Sequence, residues 1–194
     1  MNSIPKKSIT AAVNILRAGG VAIIPTDTVY GISAHPESSS AVDRICTIKG
    51  RRTDKPIALL AADKESVMEF CKEVPEKAQK LMETYWPGAL TLVLPCGDGF
   101  EGFRVPDHCQ TCELLKACGG TLRVTSANLS GAMPALSAVE ALKDVGLEAD
   151  LVIDDGSSPG GVASTVVKID SEGAITILRE GAISSQEIRS AAAG

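Results

Sequence analysis

An open, twisted α/β sheet of mixed parallel and antiparallel strands, with helices on both faces, is the fold this sequence predicts. Three observations carry that expectation. Apolar runs of strand length alternate with stretches of helical periodicity. The connections between them are short, as in layered α/β domains. Near the C-terminus, Val162 to Ile169 and Ala174 to Arg179 flank Ser171-Glu172-Gly173, a hairpin that must be antiparallel.

The first element is a helix from Lys6 to Ala18: Ile9, Ala12, Val13 and Leu16 recur at helical spacing, and Gly19-Gly20 stops it. Val21 to Ile24 is a buried strand, ended by Pro25, which brings no ladder donor. Val29 to Ile32 resumes extended character. Between them, Thr26-Asp27-Thr28 is either a turn capped by Asp27 or a hydroxyl-lined floor for a small polar ligand, since buried hydroxyls need partners.

Ser38, Ser39 or Ser40 caps a helix with Ala41, Val42, Ile45, Cys46 and Ile48 inward. It runs into Lys49, Arg51, Arg52 and Lys55, four cations in seven residues bounded by Gly50 and Pro56. Such a loop is either solvated surface or a clamp for a polyphosphate, Arg acting as a fork and Lys as a point charge. Ile57 to Ala61 is a strand, Asp63 caps a helix with Val67, Phe70 and Cys71 inward, and Pro75 opens the next, which Trp86-Pro87-Gly88 ends.

Ala89 to Leu94 is a strand. Gly97-Asp98-Gly99-Phe100-Glu101-Gly102 spells the dinucleotide fingerprint, but extended Phe103-Arg104-Val105-Pro106 follows it instead of a helix, so a glycine-rich hairpin loop is expected. Arg104 is a candidate anion contact, and His108 starts a helix. Gly120 to Gly131 starts like a buried strand, with Leu122 and Val124 on one face, and ends in the small polar residues Thr125-Ser126-Ala127-Asn128-Leu129-Ser130-Gly131, which are either a Ser/Asn-rich turn with no task or the kind of polar strand end that holds ligands in α/β folds. Ser137 to Glu140 is a capping box for a helix with Val139, Leu142 and Val145, Asp150 to Asp154 a strand, 155–161 a flexible loop, and Ser184 to Glu187 the cap of a final helix.

With 194 residues and no low-complexity tract, the chain is expected to be a single domain, 1–194. No apolar run reaches the roughly twenty residues of a membrane span, and the first residues lack a signal peptide's apolar segment; a cytoplasmic protein is expected. A net charge of -5 disfavours a generic nucleic-acid binder. The six cysteines, at 46, 71, 96, 109, 112 and 118, resemble reduced intracellular usage more than a disulfide framework. Cys109 and Cys112 have ligand-like spacing, but no second ligand pair exists elsewhere, and Cys112, Leu115 and Cys118 share a helical face.

Collected in order, Pro25-Thr26-Asp27-Thr28-Val29-Tyr30-Gly31, Lys49-Gly50-Arg51 with Lys55-Pro56, Arg104-Val105-Pro106, Thr125 to Gly131, and Ser164-Thr165-Val166-Val167 with Arg179 resemble the YrdC/TsaC family of threonylcarbamoyl-AMP synthases along nearly the whole chain. The Lys-x-Arg plus Ser-x-Asn pair is that family's most telling signature. Two positions depart from it: Arg52 stands where many relatives have Pro, and Leu60 where longer relatives have a threonine-contacting His.

The resemblance implies a single-domain, YrdC-like nucleotidyltransferase that makes L-threonylcarbamoyladenylate and pyrophosphate from L-threonine, bicarbonate or CO2, and ATP. The product would pass to a separate complex that modifies an adenosine in tRNA. By similarity, Lys49, Arg51 and Lys55 take the triphosphate, Thr125, Ser126 and Asn128 the nucleotide and its phosphates, and Arg179 ATP; Lys49, Arg51, Ser126 and Asn128 form the catalytic set. Thr28, Ser164 and Arg104 take the threonine, Arg104 by clamping its carboxylate. Mg2+ is expected to arrive with the phosphates, without a dedicated carboxylate cage. The competing expectation is a non-catalytic double-stranded RNA-binding module of the same fold, with direct RNA binding weak given the acidic balance.

Overall fold

The computed structural model describes residues 6–52, 56–71 and 73–193. Lys55 of the cationic loop therefore lies outside the described residues. The chain runs α1 (Lys6–Arg17), β1 (Val21–Ile24), β2 (Gly31–Ala34), α2 (Ser39–Lys49), β3 (Leu59–Ala61), α3 (Lys64–Phe70), α4 (Glu76–Tyr85), β4 (Leu90–Cys96) and β5 (Gly99–Arg104). It continues through α5 (Cys109–Ala117), β6 (Thr121–Ser126), α6 (Ala138–Asp144), β7 (Leu151–Val152), β8 (Thr165–Ile169), β9 (Ile175–Arg179) and α7 (Ser185–Ala193).

Local chemistry sets the boundaries. α1 stops at Gly19, whose left-handed φ of +82° lets the next N–H reach back to Ile15 O. α2 stops the same way at left-handed Gly50, with the Arg51 N–H on Cys46 O. Asp63, His108 and Ser137 each accept the N–H three residues on, capping α3, α5 and α6. The hairpin turn at Gly97-Asp98 joins β4 to β5, so the fingerprint-like glycines hold a turn and open no helix.

Among the described residues, nine strands form one mixed sheet, in the order β7-β1-β2-β6-β3-β5-β4-β8-β9. β1 with β7, β3 with β5 and β4 with β8 are parallel; the other neighbours are antiparallel, so antiparallel pairing dominates beyond the C-terminal hairpin the sequence made obvious. On one face, Ala22, Ile24, Leu60 and Leu122 pack under Leu16 of α1 and Leu114 and Leu115 of α5. The other face is covered in two halves: α2 and α6 over Val21, Ile23 and Ile32, and α3, α4 and α7 over Leu59, Leu92, Leu94, Phe103 and Val167. Each large side chain so buried contributes about 1.5–3 kcal/mol. The first face is the one that positions the site, because toward β5, β4 and β8 its side chains Arg104, Thr91, Val93 and Val166 line a cavity.

Some expectations need correction. Phe70, Val139 and Leu142 face outward, at 49%, 60% and 41% exposure; Phe70 meets the Phe103 ring edge-on, and α6 buries Ala138 and Ala141 instead. In so short a helix the apolar stripe is ambiguous, and the small residues allow the closer approach to the sheet. The strand expected over Asp150 to Asp154 keeps ladder pairing only at Leu151–Val152. Cys71 and Cys96 are joined in a disulfide, against the expectation of reduced thiols: the end of α3 packs on the end of β4 with the Cα atoms 5.1 Å apart, a proximity that a separation of 25 residues hid. No helix among the described residues is long and apolar enough to cross a membrane.

Candidate active site

The Thr26-Asp27-Thr28 turn between β1 and β2 is organised from within. Thr26 Oγ1 accepts the N–H groups of Thr28 and Val29 (3.2 and 3.3 Å) and donates to Val29 O at 2.7 Å. Both threonines are buried. Arg104, at the end of β5, spans this turn: Nη1 donates to Thr28 Oγ1 at 2.7 Å, Nη2 to Asp27 Oδ1 at 2.5 Å and Nε to Gly88 O at 2.9 Å. Burial opposes the Arg104 cation, and the Asp27 carboxylate offsets that penalty. Three of the five guanidinium N–H donors are thus used internally.

A glycine loop presses on the same turn. Gly160 and Gly161 donate to Asp27 O and Thr28 O, each at 3.0 Å, and a Cβ at Gly160 would lie 2.7 Å from Asp27 O. No side chain fits in that approach. On the neighbouring wall, Ser164 Oγ lies 2.8 Å from Thr91 Oγ1, and Arg179 of β9 donates to Ser164 O at 2.7 Å.

The cationic cluster meets the end of β6. Lys49 is 3% exposed, and its ammonium donates to Ser126 O and Asn128 O. Ser130 N–H returns a bond to Lys49 O at 2.9 Å, stitching the end of α2 to the turn after β6. Burial pulls the Lys49 ammonium down to about 8, and the nearby charge of Arg51 adds to the effect. Arg51 donates to Pro56 O at 3.0 Å, and its charge is felt by Arg179 as well, so three cations share one field. The Asn128 amide donates to Leu129 O and Ala132 O (2.8 and 2.9 Å), which fixes its orientation, while its buried Oδ1 has no hydrogen-bond partner among the described residues.

Two adjoining cavities result. One, of about 420 Å3, is walled by Thr28, Arg104, Ser164, Arg179, Thr125, Ser126 and Arg51, with Leu60 supplying apolar wall. The other, of about 370 Å3, is walled by Lys49, Arg51, Arg52, Ser126 and Asn128. Arg51 and Ser126 belong to both. All the candidate residues within the described chain therefore come together. Sequence reasoning missed Asp27 as the Arg104 counterion, Thr91 and the Gly160 approach; of these only Thr91 left a signal, a hydroxyl between Leu90 and Leu92 in an otherwise apolar strand.

The chain is similar to known proteins along nearly its whole length. The Sua5/yciO/yrdC family model, described as "Telomere recombination", matches residues 14–181. The chain is 35% identical over 191 residues to the threonylcarbamoyl-AMP synthase of Bacillus subtilis, covering 93% of this chain and 55% of that one. It is 35% identical to a putative threonylcarbamoyl-AMP synthase of Mycobacterium tuberculosis, covering 94% and 88%. The crystal structure of P. abyssi Sua5 complexed with L-threonine superposes with a TM-score of 0.91 at 32% identity, covering 98% of this chain and 58% of that one. The chain thus spans a little over half the length of the Bacillus relative and of the P. abyssi protein. With such relatives along nearly its whole length, and a family match that runs from α1 to the end of β9, the chain belongs to the Sua5/yciO/yrdC family.

Proposed function

We propose that this protein is an L-threonylcarbamoyladenylate synthase. The observation that carries the reading is that Arg51 and Ser126 wall both cavities, so a hydroxyl- and arginine-lined chamber opens directly onto a cationic one. That is the arrangement needed to bring an amino-acid carbamate against the α-phosphorus of a nucleotide. Relatives at 35% identity bear the name threonylcarbamoyl-AMP synthase, and a solved Sua5 holds L-threonine.

In this reading L-threonine lies over Thr28 and Ser164, its carboxylate taking the two N–H donors that Arg104 keeps free of Gly88, Thr28 and Asp27. Its amine adds to CO2, and a carbamate oxygen attacks the α-phosphorus in line with departing pyrophosphate. Lys49, Arg51 and Arg179 supply the charge that the triphosphate and leaving group need, with Lys55 of the same loop assigned to them by similarity; the task is positioning and charge neutralisation. Thr125 and Ser126 sit where the nucleotide meets the carbamate. Asn128 holds the turn after β6 through its amide, its Oδ1 being buried, and by similarity it sets the backbone of that turn for the nucleotide and its phosphates. Mg2+ would travel with the phosphates and screen their charge. The product would then pass to a tRNA-modifying transferase.

Pyrophosphate release from ATP by the purified protein should require both L-threonine and bicarbonate in the presence of Mg2+. Release that ignores either co-substrate, or none at all, sinks the synthase reading.

A further inference from the structure

One cysteine pair stands outside the machinery described so far. Cys109 is the first residue of α5 and is exposed; Cys112 follows one turn later, half-buried, its thiol donating to Pro106 O at 3.3 Å. Cys109 and Cys112 both line a third cavity, of about 480 Å3, whose wall also includes Trp86, Pro87 and Val105 and the acidic Asp63, Glu65 and Asp107. No group of three or more His, Cys, Asp or Glu side chains that could hold a metal occurs among the described residues, so the pair lacks the company of a zinc site. Cys46 and Cys118 are buried elsewhere, and Cys71 is already bonded to Cys96.

Two thiols three residues apart, one exposed and one covered, have the geometry of an attacking and a resolving sulfur. Cβ atoms at that helical spacing lie about 5–6 Å apart, and a disulfide needs about 3.5–4.5 Å, so closure asks the first turn to tighten by roughly 1–2 Å. The first turn is where a helix yields most easily, because its N–H groups have no intrahelical acceptor. Burial raises the Cys112 thiol above the ordinary cysteine range, which keeps it protonated until a partner sulfur is brought to it.

We propose that Cys109 and Cys112 form a thiol–disulfide exchange site for small disulfides. The Cys109 thiolate attacks one sulfur of the disulfide, forming a mixed disulfide and expelling one thiolate. The Cys112 sulfur, losing its proton to the departing thiolates, then attacks Cys109 Sγ, closing the Cys109–Cys112 bond and expelling the second. Two protein thiols are oxidised and one small disulfide is reduced to two thiols. The turn that tightens also holds the active-site floor: Thr111 Oγ1 donates to Pro25 O at 2.8 Å, and His108 Nε2 lies 3.3 Å from Asp155. Resting on the synthase reading, exchange at this pair shifts the affinity for L-threonine.

The full chain, equilibrated with graded mixtures of reduced and oxidised glutathione, is digested with trypsin, which leaves both cysteines on the fragment from Val105 to Lys116. The wild type should show a disulfide within that fragment and retain no glutathione. Cys112→Ser should trap glutathione on Cys109, and Cys109→Ser should lose exchange altogether. Glutathione retained on wild-type Cys109, equal reaction in Cys109→Ser, or no reaction at any ratio would each overturn the site. L-threonine binding measured on the oxidised and reduced protein should differ, and the double variant should not respond; equal affinities would overturn the coupling. The mass measurement is independent of turnover, so a failure of the synthase reading leaves the exchange site decided on its own terms.

Discussion

Around Arg104, a guanidinium, a carboxylate and two threonine hydroxyls are already bonded to one another, whereas around Lys49 a buried ammonium donates to the backbone carbonyls of Ser126 and Asn128. The first end has its counterion in place. At the second, carbonyl oxygens orient the ammonium without neutralising it, and the charge of Asp144 only partly offsets the burial that works against the Lys49 cation. One end therefore carries its counter-charge in a direct side-chain ion pair, while the other gathers cations against backbone carbonyls; on the proposed synthase reading the triphosphate supplies the larger counter-charge there.

The sharpest break of this contrast is Asp27→Ala. It strands the Arg104 cation in a buried site, where its side chain is 8% exposed, and should cost about 3–5 kcal/mol of stability by urea denaturation. A loss below about 1 kcal/mol would mean that water replaces the carboxylate and that this end is not prebuilt. At the other end, Arg51→Ala should lower kcat/KM for ATP roughly tenfold to hundredfold, the worth of a charge-assisted phosphate contact of about 1.5–3 kcal/mol, with little change in the urea midpoint. Wild-type kinetics in that variant would return the cluster to solvated surface.

The smallest effect is a pH dependence. Lys49 is held at about 8, below the ordinary lysine value, so it is charged below that pH and neutral above it. The term kcat/KM for ATP should be level below the break and fall about tenfold per pH unit above it, since this ratio reports the free enzyme. Lys49→Arg, which stays charged, should remove the break. A wild-type profile still flat at about pH 9 would show that the ammonium is better solvated than its burial implies.

Much of the fold was legible because its signals are local. The caps at Asp63, His108 and Ser137, the glycine stops after α1 and α2 and the two hairpins rest on residues a few positions apart. Pairings across long separations were not legible. Nothing near Cys71 names Cys96, and nothing near Asp27 names Arg104. The cationic loop shows the limit best: read alone, Lys49 at a helix end looks like a solvated charge, and only the arrival of the Ser126 and Asn128 carbonyls, from the end of β6 and the turn after it, makes it a buried one. Family motifs named the residues on both sides of the site, but which of them already satisfy one another is a property of the packed chain.

The wall shared through Arg51 and Ser126 has a thermodynamic consequence. Two ligands that lean on the same side chains cannot bind independently; whatever free energy one invests in ordering that wall is returned to the other, by the same factor in both directions. On the proposed synthase reading, an apparent affinity for ATP measured at one threonine concentration is a statement about the pair, and titrating each ligand against fixed levels of the other becomes a probe of the wall itself.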